Sequence, residues 1–238
     1  MDLLDLTVAA HGGLDGWRQL STARAHVLAG GGLFPLKHQD GVISDTVVTI
    51  DPHRQWASHE PFGKPGVRSV FTGDHIAIET TDGAVLDERA HPRASFADHR
   101  LDTPWDQLHL AYFGAYAMWT YLTTPFLFTY PDVSTREIDP WQEDGETWRR
   151  LEVTFPDRIA THCARQTFSV DDDGLIRRHD YVADVVGGGP VAHYTSEHRI
   201  VDGVVVPTRR RVHPVGPDGR PVFDRTMVAL DLDDISFR

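Results

Sequence analysis

The sequence predicts a mainly β protein with helices, an α+β fold in which antiparallel strands surround one central apolar helix. Three observations support this prediction. Segments with strand periodicity and turn residues lie on both sides of the middle of the chain, and a long apolar segment with helical periodicity separates them. Hydrophobic residues make up 40% of the 238 positions, enough for a sizeable core. We expect residues 1–238 to form a single domain.

The chain begins with the pattern of a short amphipathic helix over residues 3–20. Apolar side chains recur on one face at spacings of three and four, at Leu3, Leu6, Ala10, Leu14 and Trp17. Gly12 and Gly13 interrupt the pattern, and each weakens a helix by about 1 kcal/mol relative to alanine. We therefore expect a break in the helix at these glycines.

Strand patterns fill residues 25–100 and 133–238. Residues 42–50 are rich in β-branched side chains, and residues 75–80 alternate between apolar and polar positions. Turn residues recur at positions 72–74, 82–83, 144–145, 171–174, 187–190, 202–203 and 217–219. Many strands with regular turn signals predict a sheet that curls or closes.

Residues 103–124 give the clearest helix pattern of the chain. Thr103 is a candidate cap, Pro104 suits the first helical position, and the carboxylate of Asp106 complements the positive end of the helix dipole. Pro125 ends the pattern. Both faces of this helix are apolar, which is typical of a helix buried in a core or in lipid.

This segment also raises the question of a membrane span, because no charged residue occurs over residues 107–131. Threonines and His109 dilute the apolar run, Pro125 interrupts it, and no Lys/Arg cluster flanks it. We favour a buried core helix. A helix that contacts a lipid-like ligand or a membrane surface, or a true span, are the alternatives.

Composition limits the classes of partner and chemistry. The formal charge of -12 disfavours nucleic acid and anionic membranes as partners, so we expect neither nucleic-acid binding nor stable membrane insertion. The single cysteine, Cys163, excludes disulfide frameworks and thiolate zinc sites. No phosphate-binding glycine loop, GxSxG elbow or HExxH motif occurs, so we predict no cofactor and no metal site.

The first residues lack a signal-peptide pattern, which predicts a cytoplasmic location. The oligomeric state stays open.

The order of these segments resembles a known family. Ala-His-Gly-Gly-Leu-Asp-Gly-Trp at residues 10–17 belongs to the leading helix, and Val-Asp-Gly-Val-Val-Val-Pro-Thr at residues 201–208 precedes the closing strands. With a helix between two sets of strands, the chain resembles the LolA/LolB-like lipoprotein-carrier superfamily over most of its length. The resemblance implies a strongly curved antiparallel half-barrel sheet wrapped around helices, with an apolar cavity for acyl chains. The sequence also resembles cytoplasmic actinobacterial proteins, which implies no activity.

Aromatic side chains are concentrated in and after the central helix and suggest where a ligand would lie. Some of them are expected to line a cavity and others to pack in the core. The residues that we predict to bind a ligand are Tyr112, Tyr116, Trp119, Phe126 and Phe168.

Histidines number 14 and are dense over residues 179–199. If residues 187–190 form a tight turn, His179 lies opposite His198 and Asp184 lies opposite His193. One apolar face of the resulting hairpin then carries the candidate acid–base residues His179, His198, Tyr181 and Tyr194. The alternative is a core face whose polar tips find partners.

The opposite face in that register carries Asp184 and His193. It could hold a divalent metal, but we favour a solvated face with cross-strand charge pairs. His162 is a further candidate that points inward; we do not pair it with Cys163, because adjacent strand residues point apart.

These patterns favour the binding of a small hydrophobic or aromatic molecule in a cavity between curved sheet and helix. The alternative is a cofactor-independent enzyme of the isomerase, cyclase or lyase type that uses histidine and tyrosine chemistry in the same cavity. A third possibility is a domain with a filled core that binds a protein partner.

Overall fold

The computed structural model describes residues 1–238 and consists mainly of β-strands. The strands are β1 (Ala23–Gly30), β2 (Asp45–Asp51), β3 (Trp56–Glu60), β4 (Val67–Phe71), β5 (His75–Thr80), β6 (Val85–Ala90), β7 (Ser134–Glu143), β8 (Glu146–Thr154), β9 (Arg165–Val170), β10 (Ile176–Val182), β11 (Pro190–Val201), β12 (Val204–Pro214) and β13 (Val228–Phe237). The α-helices are α1 (Leu3–Ala10), α2 (Leu14–Trp17), α3 (Leu33–Leu36) and α4 (Gln107–Thr123).

All 13 strands belong to one antiparallel sheet. The spatial order is β6-β5-β4-β3-β2-β1-β13-β12-β11-β10-β9-β8-β7, so β6 and β7 are free edges and the sheet does not close. It curves around α4, which packs on β2 to β6 and also meets inward side chains of the β10–β12 region. The predicted α+β fold, with a curved antiparallel half-barrel around a central apolar helix, is confirmed. The prediction of one domain over residues 1–238 stays a prediction.

Helix α4 is the centre of the core. Every residue from Leu108 to Thr123 is buried, as expected for a helix that is apolar on all faces. A single cluster of 53 buried hydrophobic residues includes side chains of α4 and of both halves of the sheet. None of the helices combines the length and the apolar character that a membrane-spanning helix requires.

The start of α4 differs from the predicted one. The N-cap is Asp106, whose carboxylate accepts a hydrogen bond from the backbone N–H of His109, while the His109 ring accepts one from the Asp106 N–H. Thr103 and Pro104 precede the helix instead of opening it. The backbone N–H of Trp105 donates to the carbonyl of Lys37 at 2.9 Å, which keeps this segment outside the helix.

The N-terminal helix breaks at the two glycines, as predicted. Gly12 and Gly13 have φ of 118° and 77° and separate α1 from α2. Gly12 also lies against the turn before β12: a Cβ at Gly12 would come within 2.2 Å of the carbonyl oxygen of Gly203. Only glycine fits such a close backbone approach at this φ.

The predicted register of the β10–β11 hairpin is wrong. His179 pairs with His193, and Arg178 pairs with Tyr194. Residues 183–189 do not form a tight turn, because the Asp184 N–H donates to the His162 carbonyl and a 3₁₀ helix follows at Asp184–Val186. The shift is an odd number of residues, so the side chains of β11 face the opposite way from the predicted arrangement.

Candidate functional site

The structure contains an open cleft of about 1170 Å³. One wall contains residues 53–56 at the start of β3, residues 72–74 between β4 and β5, and residues 91–94 after β6. The other wall is the segment between β8 and β9, residues 155–164. The cleft therefore lies where the two halves of the open sheet face each other across α4.

Aromatic side chains form the floor and sides of the open cleft. Tyr112 and Trp119 come from α4, and Trp56, Tyr130 and Phe155 surround them. The Trp119 indole is held in place, since its Nε1 donates to the carbonyls of Asp51 and Arg54 at 2.9 Å each. Such a surface suits an apolar or aromatic molecule.

Two polar side chains join the walls of the open cleft. The Gln55 amide donates to the Ala160 carbonyl at 2.7 Å and accepts from the Ala160 N–H at 2.8 Å. Arg93 donates to the Thr161 carbonyl at 2.8 Å and to the Asp184 carboxylate at 2.6 Å. These contacts hold the segment 155–164, which has no regular secondary structure of its own, against the sheet.

A buried cluster of imidazoles and tyrosines lies behind the 155–164 wall. Its first member is His162, whose Nε2 is 2.8 Å from the Tyr121 hydroxyl and whose Nδ1 is 3.3 Å from the Tyr116 hydroxyl. The His162 ring stacks on Tyr181, with ring centroids 4.0 Å apart. We call the set of His162, His179, His193, Tyr121, Tyr181 and Arg210 the buried cluster.

His179 connects the buried cluster to β9. Its Nε2 is 2.6 Å from the Gln166 side-chain carbonyl, and its ring stacks on Phe168 at 4.1 Å. The Gln166 amide in turn donates to the Thr161 hydroxyl and to the Cys163 carbonyl. The cleft wall and the buried cluster are thus joined through Gln166.

His193 and Arg210 complete the cluster on β11 and β12. Neither ring nitrogen of His193 has a hydrogen-bond partner, although both are buried. Arg210 donates from Nη2 to the Tyr121 carbonyl at 3.1 Å, and its guanidinium lies 4.7 Å from the centroid of the Tyr121 ring.

Burial sets the ionisation of the cluster. It lowers the pKa of His162 to about 3, with a further contribution from the charge of Arg93. Burial also lowers the pKa of His179 and of His193 well below the ordinary value, reinforced by neighbouring imidazoles and Arg210. It raises the pKa of Tyr121 to about 12. At neutral pH the imidazoles are therefore uncharged and the tyrosines protonated.

The structure divides the predicted ligand-binding residues among several places. Tyr112 and Trp119 line the open cleft. Tyr116 lies behind it, bonded to His162, and Phe168 lies under His179. Phe126 stacks on Trp17, with centroids 4.2 Å apart, and is not among the residues that line the cleft.

The predicted acid–base residues are not on one face. His179 and Tyr181 lie together in the core. Tyr194 projects from the other side of the sheet, where its hydroxyl bonds to Glu143 and lies 3.2 Å from Arg178. His198 lies beside His11 of the N-terminal segment, with Nε2 bonded to the Ile176 carbonyl. The register error accounts for the misplacement of Tyr194. The predicted register also placed Asp184 opposite His193, whereas Asp184 pairs with Arg93 and His193 lies in the core.

Sequence reasoning missed Arg210 and Arg93 and assigned His193 to the outer face. A signal for Arg210 was present: Val204, Val206 and Val212 share its parity on one strand and mark the inward face. Arg93 lies in a segment without periodicity, and nothing local identifies it.

Comparison with known proteins gives the fold. The chain superposes on the crystal structure of a DUF1329 family protein from Desulfovibrio piger with a TM-score of 0.57 and 13% identity, covering 99% of this chain and 91% of that chain. A domain assigned to outer membrane lipoprotein sorting, from Vibrio parahaemolyticus, gives 0.54 and 9% over 99% and 92%. A LolA superfamily protein from Nitrosomonas europaea gives 0.50 and 12% over 91% and 85%.

No family model matches the sequence, and no curated protein matches it. The likeness is therefore one of structure, and it identifies the fold as LolA-like.

Proposed function

We propose that this chain, which has the LolA-like fold, binds a small hydrophobic or aromatic molecule in the open cleft. The observation that carries the proposal is the cleft of about 1170 Å³ with Tyr112 and Trp119 of α4 at its floor. Pockets of roughly 300–1,000 Å³ lined by aromatic side chains are typical of small-molecule sites. The lipoprotein-sorting assignment of one structural neighbour agrees with an apolar cargo.

The cleft also has the polar groups that a site for an apolar molecule uses for orientation. Arg93 and Asp184 form an ion pair at 2.6 Å at one side, and Tyr112 is a further polar residue of the lining. Burial raises the pKa of Tyr112, and the neighbouring Arg93 opposes that shift, so the phenol is protonated and can donate a hydrogen bond at neutral pH.

A pair of tryptophan substitutions tests the proposal. Ala94 lines the cleft and Ala97 does not, although both are exposed and lie three positions apart. We expect Ala94→Trp to reduce binding of the fluorescent probe N-phenyl-1-naphthylamine roughly tenfold or more by filling the cleft. Ala97→Trp serves as the matched control and should bind like the unmodified chain. Equal binding by both variants, or no binding by the unmodified chain, contradicts the proposal.

The alternative of a cofactor-independent enzyme stays a prediction. None of His179, His198, Tyr181 and Tyr194 is among the residues that line the open cleft. The pKa of His179 is held well below neutrality by burial, which makes it a weak base at pH 7. The cytoplasmic location also stays a prediction.

A further inference from the structure

Arg210 is a fully buried guanidinium without a carboxylate partner. It is 5% exposed, its one hydrogen bond goes to the Tyr121 carbonyl, and its Nε has no partner. Arg178 shows the contrast: it is 4% exposed and pairs with Glu143 at 2.9 Å and Asp180 at 2.7 Å. Buried charges in proteins are normally paired, so the isolated charge of Arg210 needs an explanation.

The side chains around Arg210 include many hydrogen-bond donors, and none of them is a carboxylate that pairs with Arg210. The titratable side chains that interact with it are His11, His179, His193, His198, Tyr121 and Tyr181. The one carboxylate that acts on any of these imidazoles is Asp171, on His11, and it is already bonded to Arg177. Burial lowers the pKa of Arg210 to about 10, so its charge persists at neutral pH.

We infer that Arg210 and His193 form the anion-recognition site for the carboxylate of an apolar acid, under the C-terminal half of α4. A guanidinium presents its donors in a planar fork that matches a carboxylate. His193 has a neutral ring without a partner, and its N–H can donate the additional hydrogen bond. The inference rests on the proposed function and narrows its ligand to a molecule with an apolar body in the open cleft and one acidic end. Arg210 and His193 are not part of the cleft lining, so the acidic end reaches them behind the 155–164 wall.

The structure also indicates how such a group would be admitted. The void between the sheet and α4 next to Tyr121 and Leu230 measures about 30 Å³, the space of roughly one water. Leu230 is the strand partner of Arg210, but neither Arg210 nor His193 lines this void, so the guanidinium has no open space beside it. A carboxylate therefore enters only if the last turn of α4 moves away and the Arg210–Tyr121 bond breaks. The carboxylate then takes the place of the Tyr121 carbonyl.

Matched ligands test the inference. Binding of decanoate and of 1-decanol, which share one alkyl chain and differ in charge, is measured by titration calorimetry on the full chain. We expect decanoate to bind roughly ten- to hundredfold more tightly, the range of a hydrogen bond to a charged group. Equal affinities overturn the inference and leave the proposed function standing. Failure of both ligands and of the naphthylamine probe to bind overturns both.

Two variants locate the recognition site. Arg210→Met should lower the decanoate preference to about threefold or less, and the control Arg209→Met should keep it, because Arg209 lies on the opposite, exposed face of β12. His193→Phe should reduce the preference in part, and it provides an independent reading if Arg210→Met does not fold. A preference that survives the His193 variant and any folded Arg210 variant overturns the assignment to this site.

Discussion

Arg210 completes the C-terminal end of α4 by donating to the carbonyl of Tyr121 at 3.1 Å. That carbonyl has no helical donor, because the residue four positions later is Pro125, which lacks an N–H. The guanidinium also lies at the negative end of the helix dipole. A single side chain of β12 thus links the end of the central helix to the sheet.

This relationship predicts that substitutions of the two buried arginines, Arg210 and Arg178, change the free energy of unfolding by different amounts. Arg210→Met removes an unpaired buried charge and one hydrogen bond, two effects of opposite sign, so unfolding free energy should change by no more than about 2 kcal/mol. Arg178→Met leaves Glu143 and Asp180 without their partner and should cost about 3–5 kcal/mol. Urea unfolding of both variants measures the difference. Similar losses of unfolding free energy in the two variants would mean that the charge of Arg210 is balanced by partners as fully as the charge of Arg178.

The break between α1 and α2 gives a second prediction. Gly12→Ala brings a Cβ to 2.2 Å from the Gly203 carbonyl oxygen at a φ of 118°, so it should destabilise the protein by more than about 2 kcal/mol. Gly16→Ala, in α2, meets nothing within 4 Å and should stabilise by about 0.5–1 kcal/mol. Thermal unfolding of the pair is the measurement, and a tolerated Gly12→Ala would refute the close contact.

The central helix and the faces to which the arginines of β12 point were predictable, because both depend on local sequence pattern. An apolar stretch on all faces, ended by Pro125, specifies a buried helix, and strand alternation places Arg210 opposite in direction to Arg209 and Arg211. Tyr112 and Trp119 were predicted as ligand contacts from the same helix and do line the open cleft.

The rest depends on contacts distant in sequence. The segment after β10 leaves the hairpin because Lys37 donates to the Val186 carbonyl at 2.9 Å and Asp184 bonds to Arg93. No local signal announces these partners, so the tight turn and the register derived from it were wrong. The cleft wall of residues 155–164 has no periodicity, which is why sequence patterns did not indicate it.

The buried imidazoles predict sensitivity to acid. The pKa of His59 and of His198 is lowered to about 4, that of His162 to about 3, and that of His193 falls well below its usual value; burial is the main cause for each. Unfolded histidines take up protons near pH 6.5 whereas these folded ones do not, so stability falls as pH drops from about 6.5 towards 4.

Removing one such imidazole should weaken that dependence. His193→Phe should reduce the slope of unfolding free energy between pH 6.5 and the low folded pKa by about 1.4 kcal/mol per pH unit. His75→Phe, the same change at a part-exposed strand position, is the control. The measurement is urea unfolding at steps from pH 4.5 to 7. An unchanged slope in His193→Phe would show that its ring is charged in the folded state.

The surface imidazole of His26 predicts the opposite dependence. It lies 2.8 Å from Asp45 and 2.5 Å from Asp233, and hydrogen bonds to these two carboxylates raise its pKa above the ordinary 6.5. Its contribution to stability is therefore fully present below about pH 6.5 and is lost as the pH rises through the higher folded value.

His26→Asn should remove this loss, so the difference in unfolding free energy between the unmodified chain and the variant should shrink from pH 6 to pH 8.5. His38→Asn, the same change at an exposed histidine without a carboxylate partner, is the control. High salt should also reduce the His26 effect, because the three side chains are partly open to solvent and their charges are screened. A His26→Asn difference that grows with pH would contradict the raised pKa and the two-carboxylate contact that causes it.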